Sequence, residues 1–513
     1  MTTMIFWIWG LCVVVALGLY LRQFYTRFSK HGVKNLTPLP ILGNFLSIFL
    51  QQEHISENLT RLYLTFPEER FIGRYDLQAP TILLRDRELI KKVTIKDFDH
   101  FIDHRSQVNA AADPIFGRVL ITLKGDEWKH MRSTLSPAFT SSKMRAMVPF
   151  MVEVGDMMIK SLTEKITATN TGYLDLDVKD LTTRYATDVI ASCAFGLKVD
   201  SHTEPQNEFY LKGKAALSFS LKQFFIFFGY IGMPRLMKFL KLTFIHESTR
   251  SFFRKIVLST IQDRELRHIM RPDMIHLLME AKKGLYQRYC VTTSRILCDD
   301  DLVAQAVLFF VAGYETVSTT MSFLLYELAV NPDVQDKLVR EIKEYDAKNS
   351  GKFDFDSVQK MVYLDMVVSE SLRKWPPASL MDRLCTKDYN LGKPNNKTTQ
   401  DYIHKGEGLV IPVRAIHLNP EYYPDPEKFD PERFSEENKH KILPFTFLPF
   451  GAGPRNCIGS RFALCEVKVM VYQLLRSMEV SPAAKTPIPA RLAPGTLQMR
   501  MQGGHWLRFK IRK

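Results

Sequence analysis

The stretch Phe450-Gly451-Ala452-Gly453-Pro454-Arg455-Asn456-Cys457-Ile458-Gly459 presents one cysteine at the end of a glycine-punctuated loop. Residues Ser460 to Met478 read as a following helix, with apolar positions at Leu464, Val467, Val471, Leu474 and Met478. A helix N-terminus carries unpaired N–H groups and partial positive charge. A cysteine there tends toward thiolate, the form that binds metals. Gly451, Gly453 and Gly459 allow backbone conformations and close approaches that a side chain would block. Pro454 stiffens the loop and Arg455 adds a fixed positive charge. A lone cysteine would equally serve as a buried packing residue.

Other groups with chemical potential are spread along the chain. Trp128 and Arg132 lie four apart in a helical stretch starting near Asp126 and share one face. An indole N–H and a guanidinium pointing the same way suit a carboxylate; a surface cation–π pair is the alternative. From about Asp301 to Val330 an apolar run reads as a buried core helix, favoured at its start by Asp299, Asp300 and Asp301. Inside it, Ala312-Gly313-Tyr314-Glu315-Thr316 sets an acid and an alcohol beside a residue that weakens a helix by roughly 1 kcal/mol. A Thr bonded back to a carbonyl and a Glu reaching a partner would also explain them. Ala312 and Leu308 lie one and two turns before Thr316 on its face. Glu370 and Arg373 sit three apart on one helix face, ended by Trp375-Pro376-Pro377, and Arg383 and Arg433 follow.

Taken together, these segments resemble the cytochromes P-450, the haem-thiolate monooxygenases, over nearly the whole chain. The tract Glu370-Ser371-Leu372-Arg373-Lys374-Trp375-Pro376-Pro377 with Asp382-Arg383-Leu384-Cys385-Thr386-Lys387 resembles insect microsomal members linked to the drug-metabolising clan. The resemblance implies the family fold, mainly α with small β-sheets. It makes Cys457 the axial ligand of haem b, with Phe450 and Gly451 beside the cofactor. Trp128, Arg132, Arg383 and Arg455 become haem propionate partners, and the Asp103-His104-Arg105 stretch a further contact. Thr316 and Glu315 become managers of protons and water near bound dioxygen, and Leu308 and Ala312 pocket residues. Glu370, Arg373 and Arg433 would form one buried structural network. Substrate contacts would come from residues near 105–122, 215–245, 308–316, 377–383 and 494–499. Electrons would come from NADPH through a flavoprotein reductase, with cytochrome b5 as a further donor, on a face that includes Lys129 and His130.

The elements that must position these groups are legible more coarsely. No repeat, low-complexity tract or Gly/Ser linker interrupts residues 46–513, so one large catalytic domain is expected there. Strands are expected near 71–85, 380–412 and at the C-terminus. The seven cysteines, Cys12, Cys193, Cys290, Cys298, Cys385, Cys457 and Cys465, are odd in number, scattered and without a CxxC pair. That argues for a reducing compartment and against a disulfide framework or structural zinc. Met4 to Leu21 are apolar or small, a run of roughly 27 Å as a helix, and Arg22, Arg27, Lys30 and Lys34 follow. Residues 1–21 are therefore expected to be a single-pass anchor in the endoplasmic reticulum membrane, with the body cytoplasmic. Residues 22–45 form a basic, proline-containing hinge. Phe224, Phe225, Phe227 and Phe228 are either helix core or a pocket roof. The segment from Tyr230 to Phe244, with Lys238 and Lys241, is a candidate second membrane contact. The net charge of +14 is dispersed and carries no nucleic-acid motif.

Three readings follow. The first is a monooxygenase acting on lipophilic compounds of the xenobiotic, insecticide or plant-toxin type, or on an endogenous lipid, hormone or odorant. The second is a haem-thiolate isomerase that needs no reductase. The third is a haem sensor or carrier without turnover. Retention of Glu315 and Thr316 favours the first.

Overall fold

The computed structural model describes residues 2–106, 108–216, 221–240, 242–243, 245–283, 297–351, 353–398, 401–496 and 498–512. Cys290, Lys241 and Phe244, and the side chains of Phe224, Phe227 and Lys238, lie outside what is described. Helices dominate. The longest, Asp299–Val330, runs 32 residues without a break at Gly313. Asp301 accepts the Cys298 backbone N–H at 3.0 Å, closing the first turn. The same carboxylate binds Arg118 at 3.0 Å, tying the helix start to an earlier loop.

This helix is apolar nearly all round because neighbours cover it on several sides. Val178–Ile190 crosses it through small polar residues: Thr182 donates to the Ser318 carbonyl at 3.0 Å and lies 2.8 Å from the Ser322 hydroxyl. A Cβ on Gly313 would come within 2.5 Å of Ile190 Cδ1. The helical cost of that glycine therefore permits a close helix crossing. A second pairing sets Ser141–Thr167 against Ser460–Ser477, the helix after the cysteine loop.

Among the described residues, three small sheets flank the helices. The largest orders Phe71–Asp76, Ala79–Leu84, Gly408–Ile411 and Met381–Leu384, so strands from both ends of the chain share one ladder. Another joins Tyr173–Asp177, Trp506–Ile511 and Met478–Pro482. The first of these was not expected, although Tyr173-Leu174-Asp175-Leu176-Asp177 alternates acids with apolar residues, the period of an edge strand. Tyr389–Gly392 pairs with Asp401–Ile403. Met478, assigned above to the cysteine helix, instead opens a strand.

Apolar side chains form two clusters, one around the long helix and one around the largest sheet. The second cluster takes in the basic, proline-containing segment. Phe28 is fully buried, on the order of 2 kcal/mol of apolar burial, and Val33 and Phe45 join it. Arg27 reaches Asp401 at 3.1 Å and Glu407 at 2.9 Å. The segment after residue 27 is thus pinned to the body.

The Thr2–Phe24 helix behaves differently. It stands out with Phe6 and Trp7 each 80% exposed, whereas the longer, less apolar Asp299–Val330 is mostly buried.

Candidate active site

The decapeptide folds into a tight loop. The Cys457 backbone N–H donates to the Phe450 carbonyl at 2.8 Å, and Asn456 N–H to Gly453 at 3.0 Å. Gly451 and Gly453 take φ of +76° and +73°. A Cβ on Gly453 would lie 1.8 Å from the Thr94 carbonyl oxygen, so the loop can press onto that neighbour only as glycine. Gly459 differs from expectation: its φ is −95°, open to any residue. Phe450 and Gly451 build the turn and are not among the residues that line the adjoining cavity.

That cavity separates Cys457 from the long helix. Ile458, Gly459, Phe462 and Ala463 line it on the cysteine side, and Ala312, Gly313, Thr316 and Val317 opposite. Cys457 is exposed into it. The thiolate expected from the helix terminus is not favoured by the protein alone. Burial raises the thiol pKa, and the Gly459 N–H and the Arg132 charge only partly offset it. The helix itself begins three residues later, at Ser460, which dilutes its field at the sulfur. A cation bound at sulfur would deprotonate it outright.

Three guanidiniums gather beside the cysteine loop, a rim outside the residues that line the cavity. Arg132 donates to the Asn456 carbonyl at 2.8 Å and to Asn456 Oδ1 at 2.9 Å, clamping the cysteine loop. Arg455 donates to the carbonyls of Ile102 at 2.7 Å and Leu123 at 2.8 Å. Burial pushes its pKa down to about 9, with the Asp103 carboxylate, 3.6 Å away, as a partial counterweight. Arg383 is 1% exposed, and its Nε is buried without a partner. Burial lowers the pKa of Arg383 and of Arg132 as well. Trp128 does not converge with Arg132 on one acceptor; its ring lies under Arg455, 4.1 Å from the guanidinium carbon. Positive charge therefore exceeds what the nearby carboxylates neutralise. A planar, apolar group with two acidic arms and a metal that takes sulfur fits this cavity and rim.

Thr316 lines the cavity and donates to the Ala312 carbonyl at 2.7 Å. Glu315 does not share that wall. Consecutive helical residues point about 100° apart, and Glu315 turns toward Lys179 at 3.2 Å, with Arg500 at 4.0 Å. Lys179 also donates to Ser318 Oγ at 2.7 Å and Thr319 Oγ1 at 2.9 Å. Ala312 lines the cavity, whereas Leu308 packs against the helical core.

Away from the cavity, Glu370, Arg373 and Arg433 do come together. Arg373 makes two bonds to Glu370, at 2.7 and 2.8 Å, with both side chains fully buried. Arg433 approaches Glu370 at 3.5 Å. Arg373 also donates to the His417 carbonyl at 2.9 Å, and His417 Nε2 accepts the Leu448 N–H at 2.8 Å. The network thus reaches to within a few residues of the cysteine loop.

A second, larger cavity is lined by parts of 105–122 and 377–383 and by Phe228. None of the described residues among 494–499 lines it. Phe45, Leu59, Arg74 and Asp76 do, and sequence reasoning passed over them. Arg74 and Asp76 are opposite charges two apart on a strand, hence on one face, which was the available signal. Arg105 turns to Asp76 at 2.5 Å rather than to the rim of the first cavity.

The comparisons agree with this geometry. The family described as Cytochrome P-450 matches residues 33–505. Cytochrome P-450 9e2 of Blattella germanica is 44% identical over 99% of this chain and 98% of its own. Probable cytochrome P-450 9f2 of Drosophila melanogaster is 39% identical over 94% of each chain. Cytochrome P-450 6k1 of Blattella germanica is 38% identical over 97% and 95%. The Cys457 loop and the helical body thus belong to a haem-dependent monooxygenase, and the chain is a member of the cytochrome P-450 family.

Proposed function

We propose that the chain is a membrane-anchored monooxygenase that inserts one atom of dioxygen into lipophilic substrates of the xenobiotic, insecticide or plant-toxin type. Electrons come from NADPH through a flavoprotein reductase. The observation that carries this reading is that Cys457 and Thr316 line one apolar cavity, with guanidinium charge that carboxylates only partly compensate beside the cysteine loop. Haem, when bound, supplies dioxygen binding and O–O cleavage, favoured by electron donation from an axial thiolate.

Each residue then has a task. Cys457 would be the axial ligand, held in place by its N–H bond to Phe450. Arg132, Arg383, Arg455 and Trp128 would fix the two propionates, with Arg132 exchanging its Asn456 contacts for a charged partner. Thr316 would hold a hydroxyl at the wall opposite the sulfur and pass a proton through it. Glu315, paired with Lys179, would act behind that wall, setting the charge around the helix rather than touching substrate. Glu370, Arg373 and Arg433 would be structural.

The larger cavity, apolar apart from one charged corner, would receive the lipophilic substrate. The exposed Thr2–Phe24 helix would anchor the protein in the endoplasmic reticulum membrane, with residues 46–513 as the cytoplasmic catalytic domain. Exposed Lys129 would lie on the reductase-facing side.

The test is the spectrum of dithionite-reduced, carbon monoxide-treated protein, wild type against Cys457→His. A strongly red-shifted Soret band in wild type alone is the expected result. Haem-loaded wild type without that band overturns the reading. With reductase and NADPH, Thr316→Ala is expected to lower product formed per NADPH consumed by roughly tenfold, the effect of one lost hydrogen bond of about 1.4 kcal/mol.

A further inference from the structure

The charged corner of the larger cavity is built for more than packing. Arg74 is 2% exposed and lines the cavity. Its Nε donates to Asp76 Oδ1 at 2.7 Å, and Nη1 is buried with no partner. The guanidinium rests over the Phe45 ring, 5.1 Å from its centroid. Arg105, 6% exposed, donates to Asp76 Oδ2 at 2.5 Å and to Thr81 Oγ1 at 2.8 Å. One carboxylate thus serves two guanidiniums, and both its oxygens are used.

Asp382 also lines this cavity, but its oxygens are committed as well. One accepts the Arg105 backbone N–H at 2.7 Å, and the other lies 2.9 Å from His104 Nδ1. The corner therefore has donors to spare and acceptors that are all engaged. The remaining wall is apolar, with Ile55, Leu59, Phe116, Ile121 and Phe228 among its residues. Burying a guanidinium with an unmatched donor is costly unless a partner arrives.

We propose that Arg74, supported by Arg105, is a subsite for the carboxylate of an amphipathic organic acid whose hydrocarbon chain lies along the apolar wall. The forked guanidinium accepts a carboxylate side-on, and the low-polarity surroundings strengthen the pairing. Neutral lipophiles still enter, but without this anchor they are held in no single orientation. The proposal rests on the reading of this cavity as the substrate chamber.

Calorimetric titration of the haem-loaded protein with decanoic acid and with decan-1-ol, at a pH well above the ordinary carboxylate range of about 4, tests it. Wild type is expected to bind the acid roughly 10- to 100-fold more tightly than Arg74→Met does, the span of a charge-assisted hydrogen bond. The alcohol is expected to bind both equally, which also reports that the cavity is formed. Asp76 keeps Arg105 and Thr81 in the variant. Arg74→Lys, which keeps the charge but not the fork, is expected to lose only a few fold for the acid. Equal acid affinity in all three proteins, or an equal loss for acid and alcohol, overturns the subsite. Because calorimetry does not read the haem, a missing thiolate band would sink the functional reading without deciding this one.

Discussion

Two groups of buried arginines handle charge in opposite ways. In the Glu370, Arg373 and Arg433 network, each donor of Arg373 meets an acceptor within the protein, including two bonds to Glu370. In the Arg132, Arg383 and Arg455 group, carbonyls take most of the donors. Arg383 Nε has nothing, and burial depresses all three pKa values. Arg373, matched donor for acceptor, holds the fold; Arg383, like Arg433 at its own Nε, keeps an unmatched buried donor, and that of Arg383 lies beside the cysteine loop.

The contrast predicts different failures. Arg373→Met leaves Glu370 buried with the Asp430 N–H at 2.9 Å and the more distant Arg433 at 3.5 Å. It is expected to cost about 3–5 kcal/mol, seen as a lower Tm and a fall in haem per polypeptide. Unchanged Tm would break the comparison. Arg383→Met should act the other way. Removing an incompletely matched buried charge leaves the stability of the haem-free protein level or raised, while haem affinity falls roughly 10- to 100-fold. Haem titration against an apo-protein melt separates the two effects, and a large loss of apo stability would mean the Arg383 site is closed after all.

A third device is protonation. Asp188 is fully buried, and its carboxyl pKa is raised from 3.8 to about 7 by burial, though Ser201 donates to it twice. Between those values the folded state holds a proton that the unfolded chain releases. Its contribution is therefore complete below about 4 and falls as pH rises toward 7. Asp188→Asn cannot ionise, so its Tm is expected to vary less with pH across this window; a slope equal to wild type would remove Asp188 from the account. At the small end, Arg145→Ala breaks an exposed pair with Asp356, and its melt is expected to overlay wild type.

How much of this was legible follows from what each signal depends on. The long helix, its acidic start and the cysteine loop declared themselves through local pattern, and their bounds moved by only a residue or two. The Trp128 and Arg132 pairing on one face was read correctly as helical geometry, yet Arg455 takes the indole from another segment. The shared face of Ala312 and Thr316 held, but adjacency in sequence grouped Glu315 with Thr316 although a helix sends them to different neighbours. Arg74 was missed because its meaning depends on Asp76, Thr81 and Arg105 meeting across strands and a loop. Non-local contacts of that kind leave no periodic trace.

The three carbonyls that Arg455 grips belong to Ile102, Leu120 and Leu123, 353, 335 and 332 residues earlier in the chain. A ribosome delivers the two sides of that grip at opposite ends of its work. Helices and hairpins can form as they emerge, but the cysteine loop has no mould to close upon until nearly the whole polypeptide has been made. Closure of this loop is therefore one of the last folding events in the life of a nascent chain, and a transcript cut before codon 455 yields a body that lacks the guanidinium these three carbonyls meet.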